Sequence, residues 1–391
     1  MRRRPLLAGL LPAVLGVRPG FARAIDAPAA VDDPPLGVSH RALRFPADHG
    51  SHPDTHVEWW YVTGWLRAGG DVDAATTAPP EFGFQVTFFR SRTGLAEGST
   101  SRFAARQLVF AHVALTDLAA GASGHGLLHD QRAAREGFGI VQSAAAAGPQ
   151  RVQLRDWSLV RDAPSASGHG DARSHLHATV RSDAFALDLD LLGTQPLMLQ
   201  GDAGYSRKGP DPLDASHYYT EPQLAVRGRL ERAGVPAREV AGRAWLDHEW
   251  SDRYLGAQAV GWDWVGFNLL DGDALMAFRL RRADGSVTWA GGAYRSAAGA
   301  LRIFAADEVR FEPQRHWTSP RTQARYPVEW GLATPSGRWR VAALLDDQEL
   351  DSRDSTGSVY WEGLSALKHE DGGVAGYGYL ELTGYAGRLR L

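Results

Sequence analysis

Two short stretches of this chain concentrate side chains that could do chemistry. The first is Phe45-Pro46-Ala47-Asp48-His49-Gly50-Ser51-His52-Pro53-Asp54-Thr55-His56-Val57-Glu58-Trp59-Trp60-Tyr61. It sets three His, two Asp and one Glu within eleven residues, donors that could hold a metal through imidazole nitrogen and carboxylate oxygen. The spacing fits no standard zinc pattern, and on a strand His56 and Glu58 would share one face. A polar lead-in loop whose His and Asp cap backbone groups explains the same letters, and neither a metal nor a cofactor is expected. Glu58 is a separate matter. A carboxylate wedged against Trp59, Trp60 and Tyr61 is costly to bury unless paired or protonated. It is therefore either an ion-pair partner or a cavity acid with a raised pKa.

The second stretch is Trp245-Leu246-Asp247-His248-Glu249-Trp250-Ser251-Asp252, followed by Trp262-Asp263-Trp264. An Asp beside a His can orient imidazole as a general acid or base, and flanking indoles can stabilise a developing cation. A buried polar knot joining two strands would use the same residues. The candidate catalytic groups are thus Asp247, His248, Asp263 and Glu58. The candidate ligand-binding aromatics are Trp59, Trp60, Tyr61, Trp250, Trp262 and Trp264. No Gly-x-Ser-x-Gly elbow is present, so a serine hydrolase of the usual kind is not supported. No Gly-rich phosphate loop precedes a helix either.

The elements that must position these groups read as strands. Glu58–Leu66, Phe82–Phe89, Gln107–Leu115, Arg151–Leu159, His175–Arg181 and Phe185–Leu192 form a first series of alternating or short apolar runs. A second series is Val240–Trp245, Trp262–Leu269, Leu275–Arg281, Ser286–Ala293, Val328–Leu332, Arg338–Ala343, Ser358–Gly363 and Gly376–Gly384. Asp271-Gly272 and Asp284-Gly285 have the composition of tight hairpin turns. Helical periodicity is weak everywhere, with Gln131–Glu136 the one fair candidate. The pattern predicts an antiparallel all-β chain in two blocks joined near residues 225–240. Each block carries an acidic-aromatic cluster, Glu58-Trp59-Trp60-Tyr61 in one and His248-Glu249-Trp250 in the other, which hints at a duplicated unit. Barrels of about eight strands can enclose one small apolar ligand.

Composition narrows the function classes. With 391 residues there is chain for two or three domains. The net charge of −3 argues against a nucleic-acid binder, whose affinity comes mainly from Lys and Arg on phosphates. The absence of Cys excludes disulfides, thiolate nucleophiles, Cys-ligated zinc and lipoprotein anchoring. Arg2-Arg3-Arg4, the apolar run Leu6–Val17 and Ala22-Arg23-Ala24 read as a signal peptide over 1–24, of the Sec or twin-arginine type. A Pro- and Asp-rich leader is expected over 25–40. The apolar run is too short to span a bilayer, so a periplasmic or secreted protein without a stable membrane span is expected.

At this point the motifs converge on a family. Phe45-Pro46-x-Asp48-His49-Gly50-x-His52-Pro53 leading into Glu58-Trp59-Trp60-Tyr61-x-Thr63-Gly64 resembles the signature of AttH-like secreted proteins. Asp247-His248-Glu249-Trp250, His316-Trp317-Thr318-Ser319-Pro320, Tyr326-Pro327-x-x-Trp330, Tyr360-Trp361-Glu362-Gly363 and Gly378-Tyr379-Leu380-Glu381-Leu382-Thr383-Gly384-Tyr385 are similar too. The resemblance covers almost all of 40–391. It implies two tandem lipocalin-like (calycin-type) antiparallel β-barrels, here bounded as 41–232 and 233–391. It also implies kinship with bacterial carotenoid 1,2-hydratases and some fungal cyclases. In those hydratases an acid protonates an isoprenoid double bond, aromatics shelter the cation, and water adds. Their His-x-Trp element matches His248-Glu249-Trp250. Their Tyr-x-Asp element is replaced by Asp273-Ala274-Leu275-Met276-Ala277-Phe278, which leaves Asp247, Asp263 or Glu58 to supply the acid.

The expected function is binding, and conversion if it is an enzyme, of a hydrophobic isoprenoid or lipid in a Trp-lined cavity. Such an enzyme would be of hydratase, isomerase or cyclase type. The alternative is a non-enzymatic envelope protein docking to an ABC-type transporter. His248 is expected at the start of the second barrel, beside Trp250 and bonded to a carboxylate, on a wall shared with the Glu58 strand. The export expectation has a direct check. The protein recovered outside the cytoplasm should begin at Ile25, read by N-terminal sequencing, and an exported chain still carrying Arg2-Arg3-Arg4 would contradict it.

Overall fold

The strands follow from alternation of Val, Leu, Phe and Trp with polar residues, and the turns from Gly, Asp and Asn. The computed structural model describes residues 37–73, 78–95, 97–101, 103–121, 123–137, 139–141, 150–162 and 174–389. The expected signal peptide, and residues 25–36 of the expected leader, lie outside the described residues. Among those described, the first sheet contains β1 (Val57–Ala68), β2 (Phe82–Arg92), β3 (Gln107–Asp117), β4 (Leu127–Arg135), β5 (Gly139–Val141), β6 (Gln150–Leu154), β7 (Trp157–Arg161), β8 (His175–Arg181), β9 (Phe185–Leu192), β10 (Met198–Leu199), β11 (Tyr205–Arg207), β12 (Ala215–Arg232) and β13 (Val235–Ser251). The second contains β14 (Gly261–Leu269), β15 (Ala274–Arg281), β16 (Val287–Arg295), β17 (Leu301–Phe304), β18 (Arg310–Thr318), β19 (Arg325–Thr334), β20 (Gly337–Ala343), β21 (Glu349–Ser352), β22 (Ser358–Lys368) and β23 (Val374–Leu382).

Strand order shows two copies of one topology. The first sheet runs β4-β3-β2-β1-β13-β12-β9-β8-β7-β6-β5, and the second runs β17-β16-β15-β14-β23-β22-β20-β19-β18. β14 thus stands where β1 stands, β15 where β2 stands, β23 where β13 stands and β22 where β12 stands. These are two tandem lipocalin-like barrels. The first nearly closes, and Arg132 of β4 spans its seam. Its guanidinium lies 3.9 Å over the Trp157 ring and donates to the carbonyl of Arg181 at 3.0 Å and to the Asp156 carboxylate. Each sheet wraps its own core, around Phe84, Phe88, Trp157 and Leu189 in one and Phe267, Tyr326, Trp330 and Trp361 in the other. A third apolar cluster joins the outer faces of the two barrels, with Tyr61, Trp65, Tyr218 and Trp245 meeting Trp264, Met276, Phe278 and Tyr379.

Several expectations are corrected. The boundary at 232/233 falls inside the first sheet, because β12 and β13 form a hairpin and β13 pairs with β1. The chain passes to the second sheet between Ser251 and Gly261. The duplicated partner of the Glu58 strand is therefore β14, with Asp263-Trp264, and not the His248 segment. Gln131–Glu136 is no helix: residues to Arg135 belong to β4, where pairing with β3 overrides local propensity. Arg151–Leu159 is two strands, broken by a turn at Arg155, whose φ is 59°. The Asp271-Gly272 and Asp284-Gly285 turns are hairpins as expected, with φ of 93° and 83° at the glycines.

β12 was hidden from the sequence by Pro222. It is tolerated because the strand bulges between Glu221 and Leu224, with Gln223 at a φ of 56°. The shared β1–β13 wall also needs close backbone approach. A Cβ at Gly242 would sit 1.8 Å from the Trp65 carbonyl oxygen. Gly242→Ala should therefore lose about 1–3 kcal/mol or more, read as a fall in Tm and in denaturation midpoint.

Candidate active site between the barrels

Register on the β1–β13 pair decides where each candidate residue goes. Trp60 lies opposite His248 and Tyr61 opposite Asp247. Successive side chains point to opposite faces, so the run Asp247-His248-Glu249-Trp250 is split between two chambers. Glu58, Trp60, His248 and Trp250 face the interior of the first barrel. Trp59, Tyr61, Asp247 and Glu249 face the second barrel. On β14 the same rule sends Asp263 into the second barrel and Trp262 and Trp264 outward.

Inside the first barrel Glu58 is fully buried and fully paired. Arg90, directly across on β2, donates its Nε to Oε2 at 2.9 Å, while His52 Nδ1 and His248 Nε2 reach Oε1 at 2.8 and 2.9 Å. Burial opposes ionisation here, but the bonds from His248 and His52 hold Glu58 well below the carboxylate range. Of the two possibilities for Glu58, it is the ion-pair partner. Burial pushes His248 down to about 4, outweighing its bond to Glu58. A neutral ring donating from Nε2 and accepting from the Tyr219 hydroxyl at Nδ1, 3.1 Å away, fits that state. The sequence cluster around His49, His52 and His56 separates: His52 bridges Asp48 and Glu58, while His49 bonds the Tyr219 hydroxyl at 2.8 Å. His52, Glu58 and His248 come close enough to share an ion, yet the Arg90 guanidinium already supplies positive charge to that carboxylate. His248 lies beside Trp250 and bonded to a carboxylate as expected, but in the first sheet.

Asp263 repeats this arrangement in the second barrel. Arg279, across from it on β15, donates at 2.7 Å, Arg281 at 3.1 Å and the Tyr385 hydroxyl at 2.9 Å. Glu58–Arg90 and Asp263–Arg279 occupy the same register position in the two halves.

Between the barrels lies a cavity of about 80 Å³ whose acids are differently treated. Its walls are Trp59, Tyr61, Tyr218, Trp262, Trp264 and Phe278, with Asp247, Glu249, Glu362, Glu381 and Lys208 among its polar groups. Lys208 pairs with Glu249 at 2.8 Å. Among the described residues, Asp247, Glu362 and Glu381 have no cationic partner. Asp247 accepts from the Tyr218 hydroxyl at 2.6 Å, from the Thr220 hydroxyl and from Trp245 Nε1 at 2.9 Å. Burial overrides those bonds and pushes Asp247 up to about 7. Burial also lifts Glu381 to about 7 despite the Trp262 Nε1 bond at 2.8 Å, with the charges of Asp247 and Glu249 adding to it. Burial and the charge of Glu381 raise Glu362 well above its ordinary value. Glu362 Oε2 accepts from Gln85 Nε2 at 2.8 Å, and the neutral Tyr61 hydroxyl lies close to the same buried carboxyl.

Of the expected ligand aromatics, Trp59, Tyr61, Trp262 and Trp264 line this cavity, and Trp60 and Trp250 pack inside the first barrel. Of the expected acids only Asp247 reaches it. Glu249 and Glu381 are register equivalents, opposite Trp59 and Trp264 respectively. The sequence reading missed Glu362 and Glu381 as acids, although each follows an aromatic-rich stretch as Glu58 precedes one.

The family profile for AttH-like proteins matches residues 37–385. The chain belongs to the AttH-like family. A crystal structure of an AttH protein from Nitrosomonas europaea is 45% identical, with 90% of this chain and 99% of that one covered, at a TM-score of 0.76. Kievitone hydratase from Nectria haematococca is 16% identical, with 88% and 93% covered and a TM-score of 0.58, a likeness of fold. No curated protein matches the sequence.

Two buried acids in this AttH-like chain should respond oppositely to pH. Asp247 is raised from 3.8 to about 7, so its unfolded form ionises while the folded form keeps its proton. Its contribution to stability is greatest at low pH and falls as pH rises through that window. Glu58 is depressed, so its contribution is present above the ordinary carboxylate value and lost as pH falls through the depressed one. Asp247→Asn should flatten the fall in Tm between about pH 4 and pH 7, whereas Glu58→Gln should cost about 3–5 kcal/mol near neutrality. Thermal melts across pH check both. An unchanged slope in Asp247→Asn would contradict the first.

Proposed function

We propose that this AttH-like protein binds a hydrophobic isoprenoid or lipid between its barrels and converts it by proton transfer, as a hydratase or isomerase. The observation that carries the reading is the set of three carboxyl groups, Asp247, Glu362 and Glu381, held without a cation against aromatic walls and raised in pKa. An acid that keeps its proton near neutrality is what protonation of a carbon–carbon double bond needs. Glu362, which meets neutral donors and no cation, would give its proton to one alkene carbon, the π electrons forming the new C–H bond. The cation left on the other carbon would face the indoles of Trp59 and Trp264. Water could then add and lose a proton to a carboxylate, giving an alcohol, or loss of a neighbouring proton would give the isomer.

Size supports an extended ligand. The inner cavity of about 80 Å³ holds only a reacting end, since ligand pockets run to roughly 300–1,000 Å³. A neighbouring cavity of about 470 Å³, lined by Met276, Trp289 and Phe304, shares Phe278 with it and offers room for the apolar remainder. The same reading places the protein outside the cytoplasm, on the strength of the N-terminal sequence.

The test is to incubate purified protein with a total lipid extract, repurify it, and analyse the retained molecules by mass spectrometry. A retained isoprenoid or lipid that gains the mass of one water, or shifts to an isomer, supports conversion. Glu362→Gln and Asp247→Asn should retain the ligand and reduce conversion by about 100-fold or more. Retention without conversion would favour a carrier serving an ABC-type transporter. No retained ligand would overturn the proposal.

A further inference from the structure

A second constellation sits on the outer wall of the first barrel. Along β8, Leu176, Ala178 and Val180 point into the core, so His175 and His177 share the outer face. On β9, Asp190 lies directly opposite His177 in the antiparallel register. Asp162 follows the last residue of β7 and closes the group from the other side. His175 Nδ1 is 2.9 Å from Asp162 Oδ2, and its Nε2 is 3.6 Å from Asp190 Oδ1. His177 Nδ1 is 2.5 Å from Asp190 Oδ1, and its Nε2 is 3.7 Å from Asp162 Oδ1. The two imidazole rings are 4.4 Å apart.

We infer that Asp162, His175 and His177 form a binding site for a divalent transition-metal ion of the zinc class, with Asp190 bonded to His177 Nδ1 as the carboxylate that orients its ring. With one donor atom taken from each residue, Asp162, His175 and His177 bring their ligand atoms within 4.8 Å of one another, against about 3.3 Å for tetrahedral zinc with bonds near 2.0 Å, a span that small side-chain rotations close. Two imidazole nitrogens and one carboxylate oxygen, with a fourth position left for water, are a donor set that suits zinc, and the charges of Asp162 and Asp190 offset that of the ion. The contrast with the buried cluster is instructive. There a guanidinium occupies the Glu58 carboxylate, whereas among the described residues no Arg or Lys ion-pairs with Asp162 or Asp190. His175 and His177 stand on a paired strand whose inner face is fixed in the core, so little ordering of the two imidazoles is needed on binding. The cavity between the barrels plays no part in this site.

Titration of untagged, chelator-treated full chain with Zn²⁺ alone, followed by calorimetry, tests the inference. The expected result is one ion per chain and a Tm that rises with Zn²⁺. Co²⁺ in its place should give the strong visible absorption of a tetrahedral site. His175→Ala and His177→Ala should each weaken binding about 100-fold, while leaving the metal-free Tm unchanged because both side chains are on the surface. His40→Ala, which alters an exposed His elsewhere on the barrel, should bind as the parent does. No binding at about 100 µM Zn²⁺, or unchanged binding in the His175→Ala/His177→Ala double variant, would overturn the site.

Discussion

The pairing of β1 with β13 is the constraint on which the rest of the molecule depends. Twelve residues of each strand face one another in continuous register, from Val57 against Ser251 to Ala68 against Val240. That wall belongs to the first barrel on one side and faces the second on the other. A slip of one residue would send Asp247 into the first core and His248 toward the second barrel. Close approach at Gly242 and Gly64, where a Cβ would meet backbone of the opposite strand, keeps the two strands locked.

Buried charge is handled in two ways, and the difference separates structure from chemistry. Within each barrel a carboxylate meets an Arg directly across the neighbouring strand, with further donors completing its shell: Glu58 with Arg90, Asp263 with Arg279. The Arg90 guanidinium is itself saturated, donating to Glu58, Gln107, Thr55 and the carbonyls of His52 and Thr55. Such pairs are costly to break and do not exchange protons readily. Between the barrels the carboxyls of Asp247, Glu362 and Glu381 receive neutral donors, so desolvation favours their protonated forms. A proton can then be held near neutrality in a small aromatic chamber.

Duplication explains why that chamber sits where it does. The two halves present equivalent strand faces to each other, bringing Trp59 and Glu249 from one against Trp264 and Glu381 from the other. The halves diverge at two neighbouring positions: Tyr218 of β12 pairs with Glu249 where Glu362 of β22 pairs with Glu381, and Asp247 of β13 stands where Tyr379 stands on β23. One half thus contributes a phenol, the Lys208-neutralised Glu249 and the cation-free Asp247. The other contributes two acids with no cation on them.

The sequence by itself determined the all-β class, most strands and the family, because alternation, turn residues and multi-residue motifs are local signals. It also marked Glu58, Asp247 and Asp263 as carboxylates among aromatics. It could not tell which would be ionised, since Arg90 lies 32 residues from Glu58 and Arg279 lies 16 from Asp263. Nor could it show that Asp247 and His248, adjacent in the chain, serve different chambers, a matter of pleat and of which sheet β13 joins. Pro222 concealed β12, and with it the Tyr218 and Thr220 hydroxyls that hold Asp247. Glu362 and Glu381 were visible as letters, but only packing of the two barrels brings them to the aromatic cavity and withdraws them from water. The desolvation that distinguishes them is a property of the assembled tertiary structure, and no stretch of sequence carries it.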